Sequence, residues 1–370
     1  MEPFVPAELP LTDIDWAELV PQISTANAAL ARYDGMMKSV INPQVLLSPL
    51  TVREAVLSSR IEGTQSTIEE VLKVEADTGN HVEASRRDEI QEVINYRRAM
   101  REAVQILENL PLCLRVLKKL HAILLDSVRG KEQTPGEFRT DQNWIGPKGC
   151  PIERATFVPP APDVMRKALH NWEEYCHYEE KDRLVQLAVV KAQFEIIHPF
   201  RDGNGRIGRM LVPLFLYEKQ LLKEPMFYIS EYFEEHDEEY RGRLSAISKD
   251  GDWIGWIKFF LTAIQMQAGS NTTKVEGIVD LYTAMKARVS EVTHSQYSIH
   301  ALDAMFTQPI FRRSIFHKSS NIPSRQTADS ILRSLLEVDI LKELEPGGGR
   351  RSAILCFPAL INLVEGRKVV

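Results

Sequence analysis

Residues 182–197, DRLVQLAVVKAQFEII, constrain the fold more than any other stretch of this 370-residue chain. The run is 16 residues long, and Leu184, Leu187, Ala188, Lys191, Phe194 and Ile197 recur at helical spacing. It reads as a helix, so the next residues start from a helix end. They are HPFRDGNGRIGR, residues 198–209, with one histidine, one acid, three glycines and three arginines in twelve positions. Within them Gly203-Asn204-Gly205-Arg206-Ile207-Gly208 spells G-x-G-x-x-G. That pattern marks a dinucleotide site only after a strand and with an acid about 20 residues further on. Both conditions fail here, and a Rossmann reading is excluded.

Most other long segments also read as helices. WAELVPQISTANAALARYDGMM and PLTVREAVLSSRIEG lie early, with EIQEVINYRRAMREAVQILENL and LRVLKKLHAILLDSV after them. Further helices are expected in DVMRKALHNWEEYCHY, IGRMLVPLFLYEKQLL and DWIGWIKFFLTAIQMQ. Residues 134–160 are the exception, because Gly and Pro break any helical period there. FRTDQNWI and RATFV flank a Gly-Pro-Lys-Gly turn, which predicts a β-hairpin. After about residue 275, ALDAMF, RRSIFHKSS and SRQTADSILRSLLEVDILKEL suggest three helices, and KELEPGGGRRSAILCF a strand–turn–strand. That order predicts a winged helix-turn-helix.

At 42.2 kDa the chain is expected to hold more than one domain. The boundaries fall at 1–100 (helical segment), 101–275 (central core) and 276–370 (winged helix-turn-helix). The expected fold class is mainly α, a helical bundle with a β-hairpin flap. A net charge of −6 gives no global reason to expect nucleic acid. Locally, residues 308–352 carry eight Lys/Arg against five Asp/Glu. The opening residues lack a basic region and an apolar core, and no run has the 18 or so apolar residues of a membrane helix. Cys113, Cys150, Cys176 and Cys356 show no C-x-x-C spacing, a pattern that fits reduced thiols in a cytoplasm.

The chemistry concentrates in residues 198–209. A helix opening just after Gly203-Asn204-Gly205 aims free backbone N–H groups and its positive dipole end at the glycine turn. Arg206 and Arg209 share one face there. Cations at that end cost ~0.3–1 kcal/mol each unless an anion offsets them. One surface carboxylate could do so, but two arginines beside a glycine nest point to a polyphosphate. Asp202 is then misplaced unless a cation intervenes, and Mg²⁺ takes one or two carboxylates plus phosphate oxygens. His198, held by Pro199, is suited to proton transfer at neutral pH.

HPFRDGNGRIGR matches every fixed position of the Fic family motif, HPFx(D/E)GN(G/K)RxxR, and the chain is identified as resembling that family. LHAILLD, PGEFR and EYRGRLSAI…DWIGWIKFFL extend the resemblance to nearly the whole length. It implies a protein adenylyltransferase that moves AMP from ATP to a Ser, Thr or Tyr hydroxyl of a protein target, including itself. His198 would be the base and Asp202 the Mg²⁺ ligand. Gly203, Asn204 and Gly205 would cradle phosphates, Arg206 and Arg209 would bind the outgoing ones, and Ile207 and Gly208 would complete the ATP-binding stretch. Tyr240 and Arg241 would lie near the adenine, and Thr156, Phe157 and Val158 would form the strand of the flap that docks a target. SSRIEG, residues 58–63, resembles the family's inhibitory motif (S/T)xxxE(G/N), in which Glu62 would pair with Arg209. Removal of AMP from protein remains open as an alternative, as does a DNA-binding regulator with a nucleotide-sensing core. DNA binding through the winged helix and homodimer formation are open expectations.

Overall fold

The computed structural model describes residues 2–77, 84–126, 133–147, 149–348 and 351–370. Helices dominate it. They are α1 (Trp16–Ser39), α2 (Pro43–Leu46), α3 (Ser48–Ile61), α4 (Ile68–Asp77), α5 (Ala84–Leu107) and α6 (Leu114–Leu124), then α7 (Pro162–His177) and α8 (Arg183–Ile197). Later in the chain come α9 (Asn204–Glu218), α10 (Ser230–Glu235), α11 (Asp237–Asp250), α12 (Trp253–Thr293), α13 (Ser298–Thr307), α14 (Phe316–Ser319), α15 (Arg325–Glu337) and α16 (Pro358–Glu365). The strands are β1 (Ile310–Arg312), β2 (Lys342–Glu345) and β3 (Ile354–Cys356). None of the described helices is long and apolar enough to cross a membrane. The four cysteines are free.

The chain divides into two compact units. The first comprises Met1–Asp34, Leu57–Thr64 and Ile94–Gly269, and the second Gly35–Val56, Gln65–Val93 and Ser270–Val370.

The first unit is built around α8. Asp182 caps it, its carboxylate accepting from the Leu184 and Val185 N–H groups at 2.9 and 3.0 Å. Thirteen of its fifteen residues are buried, with α7, α9 and α11 packed against it. The indoles of Trp172 and Trp256 reach in to donate to the carbonyls of Val190 and Ala188. Gly208 on α9 lies where a Cβ would come within 2.8 Å of Glu195 Oε1, so glycine is what lets α9 approach α8 so closely. The connection between these packed helices is the loop 198–203.

The expected hairpin within residues 134–160 is not formed as two strands. Ile145 and Phe157 make one isolated antiparallel bridge, and a short 3-10 turn spans Ile152–Arg154. Pro147 and Pro151 each lack a backbone donor and interrupt any longer ladder. Lys148 of the turn lies outside the described residues.

In the second unit the three strands form one antiparallel sheet in the order β1-β3-β2. Phe311 and Glu343 both lie opposite Leu355, with an irregularity between Glu343 and Glu345. Helices α13, α14 and α15 alternate with the strands in sequence as H-β-H-H-β-β. The sequence-predicted helix after Ser324 ends at Glu337, seven residues before the Leu344 at which its predicted segment ends, with Asp339 at φ 56° turning the chain toward β2. Ser324 caps α15 by accepting from Thr327 N–H at 3.4 Å. Of the tip GGGRR, Gly349 and Arg350 lie outside the described residues.

Candidate active site

The loop between α8 and α9 starts with a residue in a costly conformation. His198 ends α8 with φ 48° and ψ 61°, left-handed for a residue with a Cβ. Its surroundings over-determine that geometry. Arg139, only 1 % exposed, donates from Nε to the His198 carbonyl at 3.0 Å and from Nη2 to the Pro160 carbonyl at 2.5 Å. Its backbone N–H donates to the Pro199 carbonyl at 2.9 Å. Burial pulls the Arg139 guanidinium down to about 10, still cationic at neutral pH. The His198 ring is half-buried, with Nδ1 3.3 Å from the Glu195 carbonyl oxygen. Burial lowers its pKa and the Glu195 carbonyl opposes that only partly, so the ring is neutral and able to accept a proton at pH 7.

The middle of the loop is clasped by Asn204. Its Oδ1 accepts from Phe200 N–H and its Nδ2 donates to the Phe200 carbonyl, both at 2.8 Å. With both ends of the amide so engaged, the backbone N–H is the group Asn204 has for an anion. Gly203, at φ 77°, caps α9, and a Cβ there would press on Leu124 and the His121 ring. His121 supports the loop from below. It stacks on Phe200 at 3.8 Å between centroids, accepts from Gly136 N–H at Nδ1, and sits with Nε2 3.0 Å from the Asp202 carbonyl oxygen. Accepting at Nδ1 leaves Nε2 as the protonated donor. Burial pushes its pKa down to about 4, which keeps this tautomer neutral.

Asp202 is half-exposed, with Oδ1 accepting from Gly203 N–H at 2.6 Å and Oδ2 3.4 Å from Arg206 Nη2. Among the described residues no group of three or more acids, histidines or cysteines could hold a metal by itself. A lone carboxylate beside an anion seat still suits Mg²⁺, which completes its shell with phosphate oxygens and water.

The anion seat at the start of α9 already holds a carboxylate. Arg209 is 1 % exposed; its Nη2 donates to Glu62 Oε1 at 2.6 Å and to the Ser58 carbonyl at 2.7 Å, and its Nε to Ser58 Oγ at 2.9 Å. Glu62 lies so close over the first turn of α9 that a methyl group on Gly205 would collide with its carboxylate. Burial raises the Glu62 pKa, but Arg209, Arg206 and Arg241 outweigh it and hold the carboxyl below its ordinary value. Burial lowers the Arg209 pKa in turn, but the charge and hydrogen bond of Glu62 overcome it and hold the guanidinium above its ordinary value. Arg241 fixes the end of α3, donating from Nη2 to the Ile61 carbonyl at 3.0 Å and from Nε to Asp237.

Not every predicted site residue faces this seat. Ile207 is buried at 1 % exposure and Gly208 serves the α8–α9 contact, so both belong to packing rather than to the mouth of the site. Tyr240 is also buried: its hydroxyl accepts from Lys191 Nζ at 2.5 Å and donates to Glu195 at 2.7 Å. Lys191, fully buried, is lowered to about 8 by burial but remains paired with Glu195 at 2.7 Å and ringed by Phe233, Tyr240 and Trp256. Thr156 donates from Oγ1 to the Ile145 carbonyl, Val158 is buried, and Phe157 carries the isolated bridge. Sequence reasoning assigned no role to Arg139, His121 or Ser58. Their only signals were the segments PGEFR, LHAILLD and SSRIEG around them.

Residues 20–105 match the Fic/DOC family N-terminal model and residues 111–216 match the Fic/DOC family model, together more than half of the chain. The chain belongs to the Fic/DOC family. A probable protein adenylyltransferase of Aquifex aeolicus is 26 % identical over 216 residues, covering 55 % of this chain and 59 % of its own length. The protein adenylyltransferase Fic of Drosophila grimshawi is 28 % identical over 160 residues, 42 % of this chain and 31 % of its own. The chain thus spans less than two thirds of the length of each of these relatives. A crystal structure of a Fic family protein from Desulfovibrio desulfuricans G20 superposes with a TM-score of 0.61 at 19 % identity, over 95 % of this chain and 98 % of that one. That likeness establishes the shared Fic fold.

Proposed function

We propose that this Fic protein is an adenylyltransferase that transfers AMP from ATP to a hydroxyl of a protein target, itself included. The observation that carries the reading is the carboxylate lodged on Gly205 and Arg209, next to a neutral histidine. A site that grips Glu62 with the buried Arg209 at a helix N-terminus, with Arg206 and Arg241 adding positive charge, is built for an anion. The name carried by the Aquifex and Drosophila relatives supports the same activity.

In this reading the α9 N-terminus receives the phosphates through the backbone N–H groups of Asn204 and Gly205, and through that of Gly203 once Asp202, which holds it at rest, turns to Mg²⁺. Arg206 and Arg209 neutralise the outgoing pyrophosphate. His198 accepts the proton of the target hydroxyl as its oxygen bonds to the α-phosphorus. The bond from that phosphorus to the bridging oxygen breaks, and pyrophosphate leaves with the electron pair. Asp202 would hold Mg²⁺, which when bound supplies charge neutralisation between phosphates. Glu62 acts as a brake, since its carboxylate takes Arg209 and repels a phosphate that seeks the same seat. Mass spectrometry after incubation with ATP and Mg²⁺ tests this: AMP should appear on Glu62→Gly and be absent when His198→Ala is added. Equal labelling of both variants would refute the role of His198.

The second unit's H-β-H-H-β-β order and capped α15 support a winged helix-turn-helix, and we assign DNA to it as partner. Arg325, Gln326 and Thr327 occupy the first turn of α15, with the Arg325 side chain 67 % exposed. Retention of duplex DNA should weaken steeply with salt and on Arg325→Ala. No retention at low salt would point to protein contact instead. Four free cysteines support a reducing, cytoplasmic setting.

A further inference from the structure

The flap bridge leaves one backbone edge turned away from Ile145, and that edge is occupied. Phe157 exchanges both backbone bonds with Ile145, at 2.9 and 3.1 Å, so the carbonyl of Val158 faces the opposite edge. It accepts from the backbone N–H of Phe4 at 2.9 Å. The Phe4 and Phe157 rings meet at 5.8 Å. Further along, the Ala7 carbonyl accepts from Gln193 Nε2 at 2.6 Å. Leu9 exchanges two 2.8 Å bonds with the Asn171 amide, one from its N–H and one to its carbonyl. Gln193 is 1 % exposed and Leu9 5 %, so these are built contacts rather than chance surface ones.

The segment has the chemistry of a displaceable occupant. Pro3, Pro6 and Pro10 favour an extended chain and keep it out of a helix. Phe4 and Pro6 turn inward while Pro3, Val5 and Ala7 are exposed, the period of two of an extended strand. Pro6, in register to face the flap after Phe4, has no N–H to donate, so a continuous ladder cannot form. The seat also adjoins the catalytic loop, because Arg139 ties the carbonyl of Pro160, two residues past Val158, to that of His198.

We propose that the N-terminal segment of this chain masks the outer edge of residues 156–158, with Gln193 and Asn171, the edge at which the family resemblance already expects an extended target to dock. Residues 3–10 of this chain hold it at rest, and an incoming target segment displaces them. The inference rests on the transfer reading above, and its test separates the two. Phe4→Ala/Leu9→Pro, which leaves the seat residues intact and removes the Leu9 N–H that donates to Asn171, is introduced into Glu62→Gly, with hydrogen exchange reporting release of residues 2–9. AMP transfer is then measured onto a His198→Ala copy of the chain as acceptor. Release should raise transfer several-fold, and a synthetic peptide of residues 2–12 added in trans should reverse the gain. Released residues with unchanged or lower transfer, or a peptide without effect, overturn the inference while the transfer reading stands. AMP absent from Glu62→Gly itself refutes transfer. The seat is then judged by a fluorescent peptide of residues 2–12 and a chain trimmed of residues 2–10, where no saturable binding overturns it.

Discussion

The loops 198–203 and 145–158 are both rich in Gly and Pro, and they are held in opposite ways. The first is fixed from beneath by buried polar groups: Asn204 clasps Phe200, His121 stacks under it, and Arg139 ties His198, Pro199 and Pro160 together. The second is held mainly by backbone bonds and local turns: Ile145 pairs with Thr156 and Phe157, Trp144 donates to the Cys150 carbonyl, and an extended segment lies along its edge. A loop that must present a base and an anion seat at fixed positions needs the first kind of support. A loop that receives variable peptides is served by the second, where backbone bonds can be exchanged for those of another chain.

Within the rigid loop, His198→Ala should lower AMP transfer by ~10²–10⁴-fold in the Glu62→Gly background, the usual scale for a lost general base. Nucleotide affinity by calorimetry should stay near that of the parent; a parallel fall in affinity would make His198 a binding group. Arg139→Ala should destabilise the fold by ~3 kcal/mol or more in urea unfolding, because several buried carbonyls lose their donor at once. A cost equal to that of a surface arginine would remove the distinction between the two loops. Gly203→Ala should cost ~1–2 kcal/mol from its left-handed φ alone. Thr156→Ala, in the loosely held segment, should cost no more than ~1 kcal/mol.

The rigid loop also sets the pH profile. Because burial lowers the His198 pKa, its neutral form persists below the ordinary histidine value of about 6.5. Transfer should therefore hold at pH 7 and decline only as pH falls through that lowered value. An acid limb centred above pH 6.5 would mean that the ring is charged in the resting site.

What the sequence revealed was local or repetitive. The 3.6-residue period of α8 and the density of chemistry in residues 198–209 are both readable in one window. The motif SSRIEG located Glu62 although its partner Arg209 is 147 residues away. The supports of the loop were not legible, since Arg139 reaches His198 across 59 residues and His121 reaches Asp202 across 81. Side-chain bonds to distant backbone carbonyls leave no period to detect. The flap was over-read, because alternation around a Gly-Pro turn promises strands that Pro147 and Pro151 then cut short. Helix α12 was under-read: Gly269, Ser270, Asn271 and Thr272 look like breakers, yet it runs 41 residues. Burial of Ala268, Asn271, Val275 and Ile278 at helical spacing overrides their weak propensity.

On the transfer reading, Glu62 keeps phosphate from the seat formed by Gly205 and Arg209. The most direct measurement is the initial rate of AMP incorporation for the parent chain, Glu62→Gly, and Glu62→Gly/Arg209→Ala at equal ATP and Mg²⁺. Freeing Arg209 should raise the rate ~30- to 150-fold, the equivalent of ~2–3 kcal/mol, and removing Arg209 as well should cancel the gain. Equal rates for the parent and Glu62→Gly, with equal nucleotide affinity, would contradict the claim and leave SSRIEG as no more than the end of a helix.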